Sequence, residues 1–413
     1  MNSNNLLLDD PDDPFVSKAQ RKKRPQHSPT LHRRKPQKPA GNLTPGKVLL
    51  RTLLVLVTVL LCAVITVFTA AYVLVNGECE ALRDRLVLSA MQASATKWLP
   101  GIFMPQSKVD EIVANSHIVN TDVMSLEEYA ALTAVSDESA VDEWANAKDG
   151  MLLETVNGPT FTGYVLLVKD PSRVFVGTSS DFTQGLVGMK IFDMAKKENA
   201  VAVINAGEFA DPGGQGTGNN PMGITYSKGK CVWNDSLKRT FIGFDKDNRL
   251  VVTEPMDKTT AEALGIRDGV SFQNGNVLIT NENGSITMHY ADSNTGTAQR
   301  TAIGQKADGT VILLVTDGRS ASSLGATRGD VIDVMIKYGA VSAGMLDGGS
   351  SSLMYYEDYY TKYGIDESTL DEYQKMGLVN RYKAFTTPRR MPTYICVAAQ
   401  DDAAVSGGEQ AHE

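Results

Sequence analysis

Histidine and cysteine are scarce in this chain: five and four among 413 residues. His27 and His32 lie in a basic N-terminal stretch and His412 in a polar tail, which leaves His117 and His289 for any folded site. A histidine-rich metal centre is therefore not expected, and a Ser-His-Asp triad would have to use one of those two. There is no G-x-S-x-G elbow, no Walker A loop and no C-x-x-C pair. The usual signatures of an α/β-hydrolase, a P-loop nucleotidase and a cysteine zinc site are thus missing. Cys62 falls inside an apolar run. Cys79, Cys231 and Cys396 lie outside it, an odd number, so which of them would form a disulfide is open.

Charge is absent from residues 52–75, TLLVLVTVLLCAVITVFTAAYVLV. That run is long enough to cross a bilayer as a helix. Ahead of it, residues 1–51 hold eleven Lys/Arg and four Asp, a net of +7; the whole chain is −8, so the remainder carries −15. A long basic tail before a span-length run predicts one uncleaved signal-anchor in the cell membrane. By the positive-inside rule the N-terminus is cytoplasmic and the acidic remainder extracellular. The basic clusters at 21–24 and 33–35 then serve topology, and an acidic ectodomain excludes nucleic acid as its main partner.

The organisation expected is a disordered basic tail at 1–50, the span at 52–75 and a helical stalk at 78–149. One domain follows at 150–400, then a disordered tail at 401–413. In the stalk, Leu82, Leu86, Met91 and Ala93 have helical spacing, and helices are predicted to start near Ser125 and over 136–146. From residue 150 short β-rich runs appear at 151–156, 163–169, 173–177, 201–205, 223–226, 241–245, 250–253, 311–315 and 341–346. Helical patterns interrupt at 190–198 and 327–338, the second opened by a capping box of Thr327 and Asp330. Strands with few helices between them predict an α+β or α/β fold, one mixed-sheet catalytic domain behind a single transmembrane helix and stalk.

Two of those strands end alike. Asp317-Gly318-Arg319 follows 311–315, and Asp347-Gly348-Gly349-Ser350-Ser351-Ser352 follows 341–346. An Asp-Gly pair alone is an ordinary turn. Two glycines and three hydroxyls in a row suit a loop that passes close to a ligand and hydrogen-bonds it. With Arg300 and Arg319 close in sequence, the pattern points to an anionic, polyhydroxylated substrate. Residues 201–223, VAVINAGEFADPGGQGTGNNPMG, mimic a dinucleotide fingerprint, but Asp211-Pro212 and Asn219-Asn220-Pro221 leave no helix for it to open. A Gly-rich loop over a binding site is expected, with Asn205, Glu208 and Asp211 as its polar content. Glu208, Asp317 and Asp347 are the candidate catalytic carboxylates.

In order, Asn205-Ala206-Gly207-Glu208-Phe209, Arg300-Thr301-Ala302, Asp317-Gly318-Arg319, residues 346–351 and Arg389-Arg390-Met391-Pro392 resemble the phosphodiester glycosidase family over about residues 150–399. Ala206 and Glu208 stand where that family has glycine or an aromatic. Residues 355–382, acidic and rich in tyrosine, are longer than its usual link and are expected to form a helical insertion. The resemblance implies a sugar joined through its anomeric carbon to phosphate, in cell-envelope polysaccharide or exopolysaccharide, cleaved at C1–O. It assigns Asp347 as principal carboxylate, Asp317 second and Glu208 third. Arg300 and Arg319 would hold the phosphate, with Asn205, Gly348, Gly349, Ser350 and Ser351 around the substrate. No cofactor is identified. Calcium is left open, since acidic residues near a glycine loop could hold it although no EF-hand spacing is present. A non-catalytic polysaccharide-binding or scaffold protein of the envelope is the competing reading. Oligomeric state is not expressed in the sequence.

Overall fold

The computed structural model describes residues 45–76, 80–91, 96–115, 121–133, 144–180, 182, 188–212, 216, 218, 220–290, 296–318, 323–382 and 387–400. Both terminal tails, Cys79, Ala93, His117, Arg319 and most of the helix expected over 136–146 lie outside these residues.

The uncharged run lies in one helix, Pro45–Asn76. It begins earlier than the apolar run because a proline suits the first helical turn, where its missing N–H is no loss. Pro45–Val73 is long and apolar enough to cross a membrane, with mean hydropathy 2.8. Its hydroxyls are satisfied within the helix: Thr52, Thr58 and Thr66 each donate to the carbonyl four residues back.

The strands form three sheets. The largest has eight, in the order Thr121–Ser125, Ser285–His289, Val277–Glu282, Ala340–Met345, Thr301–Lys306, Val311–Thr316, Thr162–Val168 and Met151–Asn157. A five-stranded sheet takes Lys230–Asn234, Ile224–Ser227, Ile266–Phe272, Thr240–Asp245 and Leu250–Thr253, and a four-stranded one Met354–Tyr356, Ala200–Asn205, Thr393–Ala398 and Val174–Thr178. Of the two fold classes expected, the fold is therefore α+β. Where the sequence predicts a mixed sheet, every ladder between these strands is antiparallel. Short connections such as 158–161 and 307–310 explain this, since a parallel return needs a crossover of a dozen residues or more.

All six residues of Val311–Thr316 are buried. Protein covers both faces of this strand, so it reads as an unbroken apolar run instead of an alternating one. The five-stranded sheet packs on the large one at Gly344, where a β-carbon would come within 2.8 Å of Ile242. The helix Arg328–Lys337 buries Val331, Ile332, Val334 and Met335, and both arms of its Thr327/Asp330 capping box are formed. In the stalk, Glu80–Met91 buries Val87 and Leu88 against Met104, Val109 and Ile112, while Leu86 is exposed. Ser89 Oγ also donates to the Thr297 carbonyl at 2.8 Å. The segment 355–382 carries the short helices Tyr359–Lys362 and Glu372–Lys375, in line with a helical insertion.

Candidate active site

Asp317 and Asp347 reach one edge of the large sheet because their strands flank Thr301–Lys306 and run antiparallel to it. Thr301 lies opposite Val315, and Ala302 opposite Met345. Two strand spacings put the two backbones about 10 Å apart. Gln299 sits between the loops: its carbonyl accepts from Gly349 N at 2.9 Å and its side chain donates to the Gly318 carbonyl at 3.0 Å.

The Asp347 loop holds the best-formed cluster of polar groups. Its backbone is fixed by Asp347 N to the Ala206 carbonyl and by Asn205 Nδ2 to the Asp347 carbonyl, 2.9 and 2.6 Å. Burial pushes the Asp347 carboxyl up to about 6, and the nearby negative charge of Glu208 adds to this; the Ser351 hydroxyl, the Arg389 guanidinium and the Gly348 N–H oppose it. Ser351 is fully buried in the short turn Gly349–Ser351. Its oxygen also accepts from Arg389 Nη1 at 3.2 Å, while Arg389 Nη2 pairs with Asp211 Oδ2 at 2.5 Å. A carboxylate, a hydroxyl and an arginine are thus linked in series.

The glycines that mimic a nucleotide fingerprint serve this arginine. Gly216 has φ +65°, and a β-carbon there would lie 2.7 Å from Arg389 Nε. At Gly218, φ +68°, it would lie 2.4 Å from the Arg390 carbonyl oxygen. Gly216 N donates to Asp211 Oδ1 and its carbonyl accepts from Arg390 N. Only residues without a side chain allow the loop to wrap the 389–390 backbone so closely.

Asp317 occupies a second, more enclosed setting. Tyr164 Oη donates to Oδ2 at 3.1 Å and Arg381 N to Oδ1 at 3.0 Å. Burial still dominates and pushes its carboxyl up to about 6. Arg381 and Tyr382, whose hydroxyl donates to the Ser350 carbonyl, bring the end of the tyrosine-rich insertion to both loops.

The other predicted residues are placed differently. Arg300 is buried; Nε donates to the Ala326 carbonyl and Nη2 to the Gly296 carbonyl, so it clamps two chain segments and is not open to a phosphate. Asn205 is fully buried. Its oxygen accepts from Thr301 Oγ1 and Leu353 N and its amide holds the Asp347 carbonyl, so it positions the loop without facing a substrate. Glu208 lies near Asp347 but is paired with Arg239 at 2.9 Å. Gly348 and Gly349 line the turn, and Ser350 is exposed. Arg319 is outside the described residues. In the sequence, Asp211 stands out only as polar content of the Gly-rich loop and Arg389 only as part of the closing motif, and Arg239, Tyr164 and Arg381 have no assigned role. The Gly-rich loop and the closing Arg-Arg-Met-Pro were visible signals, but their contact spans 178 residues. Among the described residues, no three His, Cys, Asp or Glu gather in a way that could hold a metal ion. Cys231 and Cys396 are free thiols.

The fold is thus a set of antiparallel sheets with two carboxylates at one edge of the largest and an arginine beside one of them. The family model described as phosphodiester glycosidase matches residues 198–398 of the chain. The SPbeta prophage-derived uncharacterized protein YomE of Bacillus subtilis (strain 168) is 27% identical over 212 residues, 49% of this chain and 31% of that protein. This chain therefore spans about a third of that relative's length. Among solved structures, the zebrafish N-acetylglucosamine-1-phosphodiester alpha-N-acetylglucosaminidase catalytic domain, auto-inhibited by its pro-peptide, aligns with TM-score 0.46 and 18% identity. That alignment covers 69% of this chain and 90% of the other. A hypothetical protein from Synechocystis aligns with TM-score 0.41 and 15% identity, over 60% and 62%.

Proposed function

We propose that this chain is a membrane-anchored glycosidase acting outside the cytoplasm on sugar-1-phosphodiesters of N-acetylglucosamine-1-phosphodiester type, in cell-envelope polysaccharide or exopolysaccharide metabolism. Residues 52–75, within the helix Pro45–Asn76, are the anchor and the residues before it the cytoplasmic tail; the catalytic domain is residues 150–400 together with the strand Thr121–Ser125, which edges its largest sheet and takes that part of the expected stalk into the domain. The observation that carries the reading is the series Asp347, Ser351, Arg389. It sets a half-buried carboxyl and a guanidinium near each other.

The chemistry follows from what each end needs. In the substrate, C1 of the sugar bears a phosphodiester oxygen. Breaking C1–O sends the electron pair to phosphate and leaves positive charge on C1; water adds its oxygen to C1 and gives up a proton. Phosphate departs without needing much protonation, so a general acid matters less than charge stabilisation. Ionised Asp347 stands on the C1 side. Arg389 takes the phosphate by exchanging its contacts to Ser351 and Asp211 for it, in place of Arg300, whose Nε and Nη2 stay on backbone carbonyls. Asp317, held beside Tyr164, is the second carboxylate. Calcium is no part of this reading.

The test is a purified full-length sample in detergent given a methyl-phospho-N-acetylglucosamine diester. Free sugar and methyl phosphate from wild type, and neither from Asp347→Asn, are expected. Tight binding of the diester with no turnover in wild type would instead favour a polysaccharide-binding protein.

A further inference from the structure

An open cavity of about 410 Å³ with mixed polar and apolar lining lies apart from the Asp347 cluster. Its lining includes Val252, Val277, Thr280, Glu282, His289 and Arg328. The volume is at the lower end of the range for small-molecule sites. It opens where the five-stranded sheet meets the outer strands of the large one. The strand that ends at Asp347 backs it: Met345 N donates to the Asn276 carbonyl at 2.9 Å, Val277 lies opposite Gly344, and a β-carbon on Gly344 would lie 3.1 Å from Val252. The nearest wall, Val277, is therefore on the order of 10 Å from the carboxylate, one strand spacing plus three residues, and Thr280 and Glu282 lie further along the sheet, away from it.

The lining is selective. Val252 and Val277 offer an apolar wall, suited to the C–H face of a pyranose. Around it stand acceptors and donors. Thr280 Oγ1 lies 3.1 Å from His289 Nε2. Glu254, at the rim, accepts from Thr240 Oγ1 at 2.7 Å and from Gly275 N. Glu282 is exposed and faces the opening, and Arg328 is buried, its Nη2 donating to the Val277 carbonyl. Burial and the charge of Arg328 hold His289 below its usual range, so the ring meets a ligand neutral. Two carboxylates against one guanidinium make the cavity hostile to a second phosphate and favourable to hydroxyls.

We infer that this cavity is a distal subsite for an uncharged sugar ring of a polymeric substrate whose phosphodiester lies at Asp347. The inference rests on the proposed function for the identity of the scissile end, and extends it from a sugar-phosphate to a glycan chain. No residue of the cavity belongs to the Asp347 cluster.

The test measures binding to the full-length Asp347→Asn protein in detergent micelles by titration calorimetry. The probes are neutral gluco-, galacto- and N-acetylglucosamine oligosaccharides of one to four units. In at least one series, affinity should rise about tenfold from one unit to the longest. Glu282→Gln and His289→Gln, both on the open side, should abolish that gain while leaving the melting temperature and the wild-type-background hydrolysis of the methyl diester unchanged. Absence of a length-dependent gain in every series, or a gain that survives both substitutions, overturns the subsite. Turnover of the methyl diester without any length dependence removes the subsite alone. Length-dependent binding with no turnover by any Asp347-bearing sample keeps the subsite and removes the glycosidase reading.

Discussion

At the residue scale the account turns on which charged groups are free to act. Arg300 and Arg389 look equivalent in sequence, each beside a motif, yet one is spent on backbone carbonyls and the other reaches a hydroxyl and a carboxylate. Arg389→Ala should raise KM for the diester at least tenfold with little change in melting temperature. Arg300→Ala should cost about 3 kcal/mol of stability, because carbonyls of two buried segments lose their donor. Comparing KM and thermal melts for the pair checks this. Asp347 also gives a pH prediction. Ionised Asp347 is the working form, so kcat/KM should fall as pH drops below about 6. The sign for stability is opposite. The folded carboxyl titrates above its ordinary 3.8, so the fold binds its proton more tightly than the unfolded chain, and this group's contribution to stability is lost as pH rises from about 4 through 6. Asp347→Asn should therefore gain stability over wild type as pH rises across that window, by about 1–3 kcal/mol at pH 7, read from denaturant midpoints.

At the scale of elements, much was legible. The strand runs at 201–205, 241–245, 250–253 and 311–315 and the capped helix after Thr327 are local in origin, set by β-branched runs, glycine breaks and one capping box. What escaped is non-local. Arg389 and Gly216 declare nothing separately; their relation appears only when two loops 173 residues apart are folded together. The same holds for Asn205, whose saturated amide cannot be read from the Asn-Ala-Gly-Glu-Phe string. The buried face of Glu80–Met91 is likewise set by distant partners, Met104, Val109 and Ile112. Two predictions belong here. Gly216→Ala places a methyl 2.7 Å from Arg389 Nε at φ +65°, and should reduce kcat/KM on the order of tenfold with a stability loss of about 1 kcal/mol. Thr327→Ala removes one arm of a formed capping box and should cost about 1 kcal/mol with no effect on KM, measured by chemical denaturation and initial rates.

At the scale of the whole molecule, one feature is physical and one chemical. The proposed tethered arrangement rests on the apolar helix and the charge imbalance, +7 in residues 1–51 against −15 after them. The chemical feature is the edge where Asp317, Asp347 and Arg389 converge. It was half visible beforehand: both Asp-Gly ends can be read from the strand patterns, while the cation that completes them comes from the far end of the chain. The central claim is that the bond broken is C1–O, not P–O. Hydrolysis of a methyl-phospho-sugar diester in ¹⁸O-labelled water, with products weighed by mass spectrometry, tests it most directly. The label should appear in the C1 hydroxyl of the free sugar and not in methyl phosphate, and Asp347→Asn should release neither product. Label in the phosphate would make the protein a phosphodiesterase and contradict the account.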